Sequence, residues 1–362
     1  SDQRCLRGRS LRQLVAVMTM NEVKSQTWPT EAGIFEAGDL ALESGQTLVS
    51  AKLSWKTHGT LAPTRDNVIL YPTSFGAQHQ DLEWLIGPEG ILDPTRWFIV
   101  MVDMFGNGQS SSPSNNSSYP ERVSTGDNVD AQKVLLKKVF DVDRIACVYG
   151  WSMGAQQAYH WACRHPDQVE RIVVSCGSAR TAPHNQVFLD GLMALLRAAP
   201  EHVGGGRFDG VPTPTLHAFG RVYAGWALSQ RFYREGLHIT RFGASDLEDY
   251  LATHWQPRFA RRHASNLYAH LTTWYHSDIS DNKRFNGDLA AALASIQARV
   301  LLLPGATDLY FRAADNEAEL KHLRNAQLVR IPSAWGHLAG NPQRNPEDAA
   351  FIRDVVRRWL QE

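Results

Sequence analysis

The stretch Val148-Tyr149-Gly150-Trp151-Ser152-Met153-Gly154-Ala155 decides the fold. It places the pattern Gly-x-Ser-x-Gly between an apolar run that predicts a strand and a helical pattern that follows it. Small residues at Gly150 and Gly154 let the strand and the helix approach each other, while the serine hydroxyl points out of the sheet. We therefore predict a nucleophilic Ser152, with the Met153 amide beside it as an oxyanion donor. An ordinary glycine-rich turn is the alternative interpretation.

Short apolar runs alternate with helical patterns along most of the chain. The predicted strands span residues 48–57, 67–71, 97–102, 145–149, 171–175, 300–303 and 327–331. The predicted helices span residues 125–140, 155–164, 313–322 and 346–360. Such alternation is typical of a doubly wound α/β architecture, and the wholly apolar runs suit parallel strands that are covered on both faces. The fold class expected is an α/β-hydrolase fold, with a mostly parallel central sheet flanked by helices.

The alternation breaks between residues 181 and 294, where the pattern becomes helical and aromatic. With 362 residues, one core with an insertion competes with two domains, and we favour the insertion. Residues 21–180 and 295–362 are then expected to form the core, and residues 181–294 a helical lid. A second helical domain with its own aromatic core is the alternative. Residues 1–20 are expected to be an N-terminal extension, either disordered or left from expression.

Composition narrows the classes of function. Lys+Arg and Asp+Glu both total 37, so no net charge draws the protein to nucleic acid or to an anionic membrane. No apolar stretch approaches the roughly 20 residues of a membrane helix. Cys147, Cys163 and Cys176 lie in apolar segments without metal-ligand spacing, which predicts buried thiols in a reducing compartment. We expect a cytoplasmic enzyme that acts on a small molecule.

A serine nucleophile needs a base, and the base needs a carboxylate to orient it. In this fold the chain order is serine, acid, histidine. Asp308 follows the predicted strand 300–303, and His337 follows the next one. Both therefore lie at carboxyl ends of strands, where loops converge over the sheet. The rival acid Asp315 is predicted to lie on a helix face.

His322 is the main rival to His337 and is predicted to be a solvated surface residue. The second oxyanion donor is expected from the loop after the predicted strand 67–71. There the Ser74 amide is preferred, with Phe75 as the nearest alternative. The glycine-rich turn 103–110 is interpreted as structural, because nothing downstream completes a dinucleotide site.

From about residue 51 to the C-terminus, the sequence resembles the homoserine O-acetyltransferase family of α/β hydrolases. The resemblance extends beyond the Gly-x-Ser-x-Gly turn. The similar segments are residues 85–88, 92–98, 127–136, 161–162, 165–167, 220–221, 249–251, 259 and 266–268. The resemblance implies a helical lid, an acyl-enzyme on Ser152 and a homodimer built through the lid. We predict that Phe75, Trp151, Arg221 and Leu338 contact the substrate. Arg221 resembles a lid arginine of the family, which implies a contact with acyl-CoA in members that use it.

Two departures from the family concern the acceptor. Members that acetylate homoserine typically carry Gly-His-Asp at the catalytic histidine, where the aspartate can pair with the substrate ammonium. Here Leu338 follows His337, so an ammonium in the closed site would lack a counter-charge. Trp151 replaces a glycine beside the nucleophile. We therefore predict a carboxylesterase for short-chain or acetyl esters that needs no cofactor and no metal.

Two other enzyme functions stay open at this point. The first is an O-acyltransferase that moves acetyl from acetyl-CoA to homoserine or another alcohol. The second is a carbon–carbon bond hydrolase, since the same triad can serve that reaction. A catalytically silent receptor of this fold is a further alternative, which the filled triad positions disfavour.

Overall fold

The structure is a computed structural model that describes residues 28–362, so the predicted extension over residues 1–20 lies outside the described part. A central sheet of eight strands has the order β1-β2-β4-β3-β5-β6-β9-β10. Its strands are β1 Thr30–Ala41, β2 Thr47–His58, β3 Val68–Pro72, β4 Phe98–Val102, β5 Cys147–Trp151, β6 Arg171–Ser175, β9 Arg299–Leu303 and β10 Ala326–Leu328. A separate hairpin consists of β7 His202–Gly204 and β8 Arg207–Phe208.

The sheet is parallel from β4 to β10, and only β1 and β2 run antiparallel to their neighbours. The mostly parallel sheet predicted from the sequence is therefore confirmed. The sequence did not predict β1, which forms the outer edge of the sheet beside β2. Most of its residues are exposed, so it lacks the apolar signal that marks the buried strands.

Helices cover the sheet on both faces. Alternate residues of β3 enter two different apolar clusters, Ile69 and Tyr71 on one face and Val68 and Leu70 on the other. The core helices are α1 Thr125–Phe140, α2 Met153–Arg164, α11 Ala313–Leu320 and α12 Pro346–Gln361. A strong N-terminal cap at Ser124, whose hydroxyl accepts from the Asp127 amide, explains why α1 begins where the sequence predicts.

An insertion of short helices separates β6 from β9. Its helices are α3 Pro183–Arg197, α4 Thr213–Ala227, α5 Gln230–Arg234, α6 Leu237–Thr240, α7 Leu247–Tyr250, α8 Gln256–Ala260, α9 Ala264–Tyr275 and α10 Leu289–Ala294. Buried aromatic side chains from α4 and α9, including Phe219, Tyr223 and Trp274, pack around Phe75 of the core. The insertion thus lies against the loop that follows β3.

The glycine run of the insertion forms a tight turn. Gly204, Gly205 and Gly206 all have positive φ, at 99°, 55° and 70°, and they connect β7 to β8. A left-handed backbone at three successive positions requires glycine. The structure thus closes the glycine run into a hairpin. Within residues 28–362, no helix is both long and apolar enough to cross a membrane.

Candidate active site

The turn between β5 and α2 holds Ser152 at a positive φ. Its φ is 59°, and its amide donates to the Ser175 carbonyl at 3.0 Å. A Cβ on Gly150 would lie 2.2 Å from the Gly154 carbonyl oxygen, and one on Gly154 would lie 2.8 Å from the Pro72 carbonyl oxygen. Neither position accommodates a side chain. The strained backbone and both close approaches are those of a nucleophile elbow.

The three predicted triad residues meet above the carboxyl ends of β5, β9 and β10. His337 Nε2 lies 2.9 Å from Ser152 Oγ, and His337 Nδ1 lies 2.7 Å from Asp308 Oδ2. All three side chains are buried. Because the carboxylate is an acceptor, a neutral imidazole carries its proton on Nδ1 and leaves Nε2 free to accept the serine proton.

Backbone amides fix the orientation of the Asp308 carboxylate. Its Oδ1 accepts from the amides of Tyr310 at 3.1 Å and Phe311 at 3.0 Å, while Oδ2 faces His337. The rivals Asp315 and His322 are not brought to this site. Both line a different cavity beside α11, where burial raises the pKa of Asp315.

The expected oxyanion donors lie next to the serine. Met153 begins α2, so its amide has no carbonyl partner within the helix. Ser74 is anchored by its hydroxyl, which donates to the Trp151 carbonyl at 2.5 Å. Within residues 28–362, neither the Ser74 amide nor the Phe75 amide donates a hydrogen bond. The geometry thus leaves both amides available, and the choice between them stays open.

His270 was not predicted from the sequence, and it ties the insertion to the loop after β3. Its Nδ1 accepts from the Gly76 amide at 3.0 Å, and its Nε2 donates to the Phe105 carbonyl at 3.1 Å. Burial lowers the pKa of His270 to about 4, so the ring is neutral near pH 7. Arg262 Nε donates to the Gly76 carbonyl at 2.6 Å. Two residues of the insertion therefore hold both backbone polar groups of Gly76, in the loop after β3.

The glycine-rich turn after β4 makes room for that histidine. Gly106 has a φ of 92°, and a Cβ there would lie 2.8 Å from His270 Cδ2. The turn was predicted to be structural, and its structural role is to leave space for the His270 ring. A histidine far along the chain offers no local motif, which is why only the packing of α9 on the core identifies it.

Aromatic rings surround the imidazole of His337. The Trp151 indole stacks on it with the ring centroids 5.1 Å apart, and its Nε1 donates to the His337 carbonyl at 3.4 Å. The Tyr310 ring lies 4.4 Å from the imidazole on the same measure. A Cβ on Gly340 would lie 2.6 Å from Trp151 Cδ1, so glycine at this position leaves space for the indole. The space beside the nucleophile is consequently narrow.

A cavity of about 260 Å³ opens next to the triad. Its lining includes three of the residues predicted to contact a substrate, Phe75, Trp151 and Leu338. Ser152 is 2% exposed and does not itself line the cavity. Arg221 does not reach this cavity: its guanidinium pairs with Glu248 at 2.9 Å on the surface of the insertion. Its predicted contact with substrate therefore has no support in this arrangement.

One group of potential metal ligands coincides with the triad. Ligand atoms of Cys176, Asp308 and His337 lie within 4.8 Å of one another. Burial raises the pKa of the Cys176 thiol well above its usual range, and a protonated thiol is a poor metal ligand. The two other groups already bond to each other. We therefore assign these atoms to the triad and its packing.

Comparisons with known proteins agree with this fold. The model of the family described as "alpha/beta hydrolase fold" matches residues 82–340. The chain therefore belongs to the α/β hydrolase family. Among its relatives, "Probable esterase Cgl0839" of Corynebacterium glutamicum is 33% identical over 310 residues, which cover 83% of this chain and 88% of the relative. The ethyl acetate hydrolase of Pseudomonas veronii is 31% identical over 312 residues, with coverages of 84% and 88%.

A solved structure of an acetylester hydrolase from Corynebacterium glutamicum superposes with a TM-score of 0.86 at 31% identity, covering 92% of this chain and 96% of that one. The homoserine O-acetyltransferase of Symbiobacterium thermophilum is a more distant relative, 29% identical over 363 residues that cover 89% of this chain and 92% of the relative. The resemblance predicted from the sequence, a member of this family similar to esterases, is confirmed.

Proposed function

We propose that the protein is a serine carboxylesterase that cleaves short-chain or acetyl esters through an acyl-serine intermediate. The observation that carries the proposal is the continuous hydrogen-bonded chain from Ser152 Oγ through His337 to Asp308. Relatives named as an esterase and as an ethyl acetate hydrolase support the same chemistry.

The first half of the reaction forms the acyl-enzyme. Ser152 Oγ attacks the ester carbonyl carbon while its proton passes to His337 Nε2. The carbonyl oxygen becomes an oxyanion that the amides of Met153 and Ser74 or Phe75 stabilise. The carbon–oxygen bond to the alcohol then breaks, and His337 returns the proton to the departing oxygen.

The second half releases the acid. Water enters in place of the alcohol, gives a proton to His337 Nε2 and attacks the acyl carbon. The new tetrahedral intermediate collapses, the bond to Ser152 Oγ breaks, and the serine recovers its proton from His337. The Asp308 carboxylate stabilises the imidazolium in both halves and remains ionised.

The surroundings of the serine favour a small acyl group and water as the acceptor. The Trp151 indole against His337 narrows the space for an acyl chain. Leu338 lines the cavity beside His337 and offers no counter-charge to an amino-acid ammonium. The relatives that are homoserine O-acetyltransferases nevertheless make transfer from acetyl-CoA the second candidate function.

A paired assay distinguishes the two functions. Purified protein is given ethyl acetate or p-nitrophenyl acetate in one series, and acetyl-CoA with homoserine in the other. We expect ester hydrolysis that Ser152→Ala abolishes, together with labelling of Ser152 by a fluorophosphonate probe. Faster transfer of acetyl from acetyl-CoA to homoserine than to water would contradict the esterase proposal. Full activity in Ser152→Ala would contradict the mechanism.

The cytoplasmic location and the homodimer formed through the insertion are part of the same proposal. The buried free thiols of Cys147, Cys163 and Cys176 support a reducing compartment. Sedimentation of the full chain tests the dimer: a monomer at micromolar concentration would contradict it.

A further inference from the structure

The cavity beside the triad carries a strong local positive charge. Four of its lining residues are arginines and, within the described part of the chain, Asp81 is its only acidic lining residue. The arginines are Arg258, Arg261, Arg262 and Arg344. The whole chain has equal numbers of basic and acidic residues, so this concentration of charge is specific to the cavity.

Two of the four arginines pair with the same carboxylate. Arg261 Nη2 lies 2.9 Å from Asp81 Oδ1, and Arg262 contacts the other oxygen of the same side chain. Arg262 also donates to the Gly76 carbonyl of the oxyanion loop. These two arginines therefore have structural partners.

Arg258 and Arg344 have no such partner. Across residues 28–362, no carboxylate oxygen lies within 4.0 Å of either guanidinium. Each lies near an aromatic ring instead, Arg258 at 5.6 Å from the Trp255 centroid and Arg344 at 5.1 Å from the Phe242 centroid. A stacked guanidinium keeps its N–H groups available at its edge for a planar anion.

Arg258 borders the loop that follows β3. Its neighbour Phe259 packs against Phe75 of that loop, with the ring centroids 6.1 Å apart. The Arg258 side chain is exposed at the cavity, and the nearby Asp81 carboxylate already pairs with two other arginines. An anionic group on the substrate is therefore able to form a charge-assisted hydrogen bond with the Arg258 guanidinium.

We propose that the preferred substrate of this esterase carries an anionic group, a carboxylate or a phosphate, that Arg258 binds with the help of Arg344. This inference rests on the proposed ester hydrolysis and adds the charge class of the substrate. The bound anion would hold the ester in the cavity while its carbonyl reaches Ser152. A charge-assisted hydrogen bond of this kind corresponds to roughly 10- to 100-fold in kcat/KM.

Matched esters test the proposal. One series keeps the acetyl group and varies the alcohol part: 4-acetoxybenzoate and 4-acetoxyphenyl phosphate are anionic, and 4-acetoxybenzamide is neutral. A second series places the charge on the acyl part, with monoethyl succinate against ethyl butanoate. Each rate is divided by the rate of alkaline hydrolysis of the same ester. The two series report which part of the substrate bears the anion, and the two anions of the first series separate carboxylate from phosphate.

The variants are Arg258→Leu, Arg258→Lys and the control Arg231→Leu. Arg231 is an exposed arginine of the insertion that pairs with Glu235 and does not line the cavity. We expect the wild type to favour at least one anionic ester about 10-fold or more, through a lower KM. Arg258→Leu should remove that preference, Arg258→Lys should keep part of it, and Arg231→Leu should not change it. High salt should weaken binding of the anionic esters alone.

Failure of this inference is distinguishable from failure of the esterase function. Hydrolysis of neutral esters at rates equal to those of the anionic ones, in both series, would overturn the anion site and leave the esterase proposal standing. An anion preference that Arg258→Leu leaves intact would also overturn it. No hydrolysis of any ester by folded wild-type protein would contradict the proposed function itself.

Discussion

Replacement of Asp308 by asparagine tests the triad with almost no change in shape. The aspartate accepts three hydrogen bonds: Oδ1 accepts from the Tyr310 and Phe311 amides, and Oδ2 accepts from His337 Nδ1. Asparagine supplies one acceptor and one donor group. If its oxygen keeps the two backbone amides, its NH₂ must face the imidazole.

That orientation reverses the tautomer of the histidine. With Nδ1 forced to accept, the ring proton moves to Nε2, which then cannot take the proton of Ser152. The opposite orientation places the NH₂ against two backbone N–H groups and leaves these buried donors unpaired, at a cost of about 1–3 kcal/mol each. The first orientation therefore prevails, and we expect kcat to fall about 10⁴-fold, the loss known for this substitution in serine proteases.

The assay is hydrolysis of p-nitrophenyl acetate, with thermal unfolding as the check on stability. Because binding of the ester does not involve the tautomer, KM should change little while kcat collapses. Asp315→Asn is the matched control, since this rival acid lies on α11 beside another cavity. A kcat for Asp308→Asn within 10-fold of the wild type would refute the role assigned to this carboxylate.

Three further predictions concern other parts of the molecule. His270→Phe removes the acceptor of the Gly76 amide, so kcat should fall about 10-fold or more with KM nearly constant. His270→Gln should retain more activity, and equal kcat values in wild type and His270→Phe would contradict this prediction. Burial raises the pKa of Glu319 from 4.5 to about 7, so the folded state is protonated more readily than the unfolded state. The free energy of unfolding should therefore fall as the pH rises from 4.5 to 7, by on the order of 3 kcal/mol more in the wild type than in Glu319→Gln. Urea titrations measure this difference, and parallel pH profiles of the two proteins would count against it. Gly150→Val should lower the free energy of unfolding by about 3 kcal/mol or prevent folding, since its Cβ would overlap the Gly154 carbonyl. An unchanged melting temperature would exclude this clash.

The strands and helices that carry the site were predictable because their signals are local. The apolar run before Gly150 and the helical pattern after Gly154 mark a strand, a turn and a helix without reference to the rest of the chain. The acid and the histidine could be chosen because each follows an apolar strand, and parallel strands end at one edge of the sheet. The edge strand β1 escaped prediction because its exposed residues carry little apolar pattern.

The part of the site contributed by the insertion could not be predicted. Arg221 and Arg258 are both arginines on helices of the insertion, yet the first pairs with Glu248 at the surface and the second lines the cavity. Nothing in the residues next to either one distinguishes them. The same is true of His270 among the fourteen histidines of the chain.

The sequence by itself determined the parallel strands of the sheet, the turn that holds Ser152, and the acid and histidine predicted to act with that serine, since hydrophobic periodicity and the conformational demands of the Gly150 to Gly154 turn act over a few residues. Only the tertiary structure decided which side chains of the insertion face Ser152. That choice depends on how α4, α8 and α9 pack against the loop after β3, through contacts such as those of Phe75 with Tyr223 and Trp274 between residues far apart in the chain. The chemistry of the site is thus encoded locally, whereas the charge and shape of its cavity arise from long-range packing.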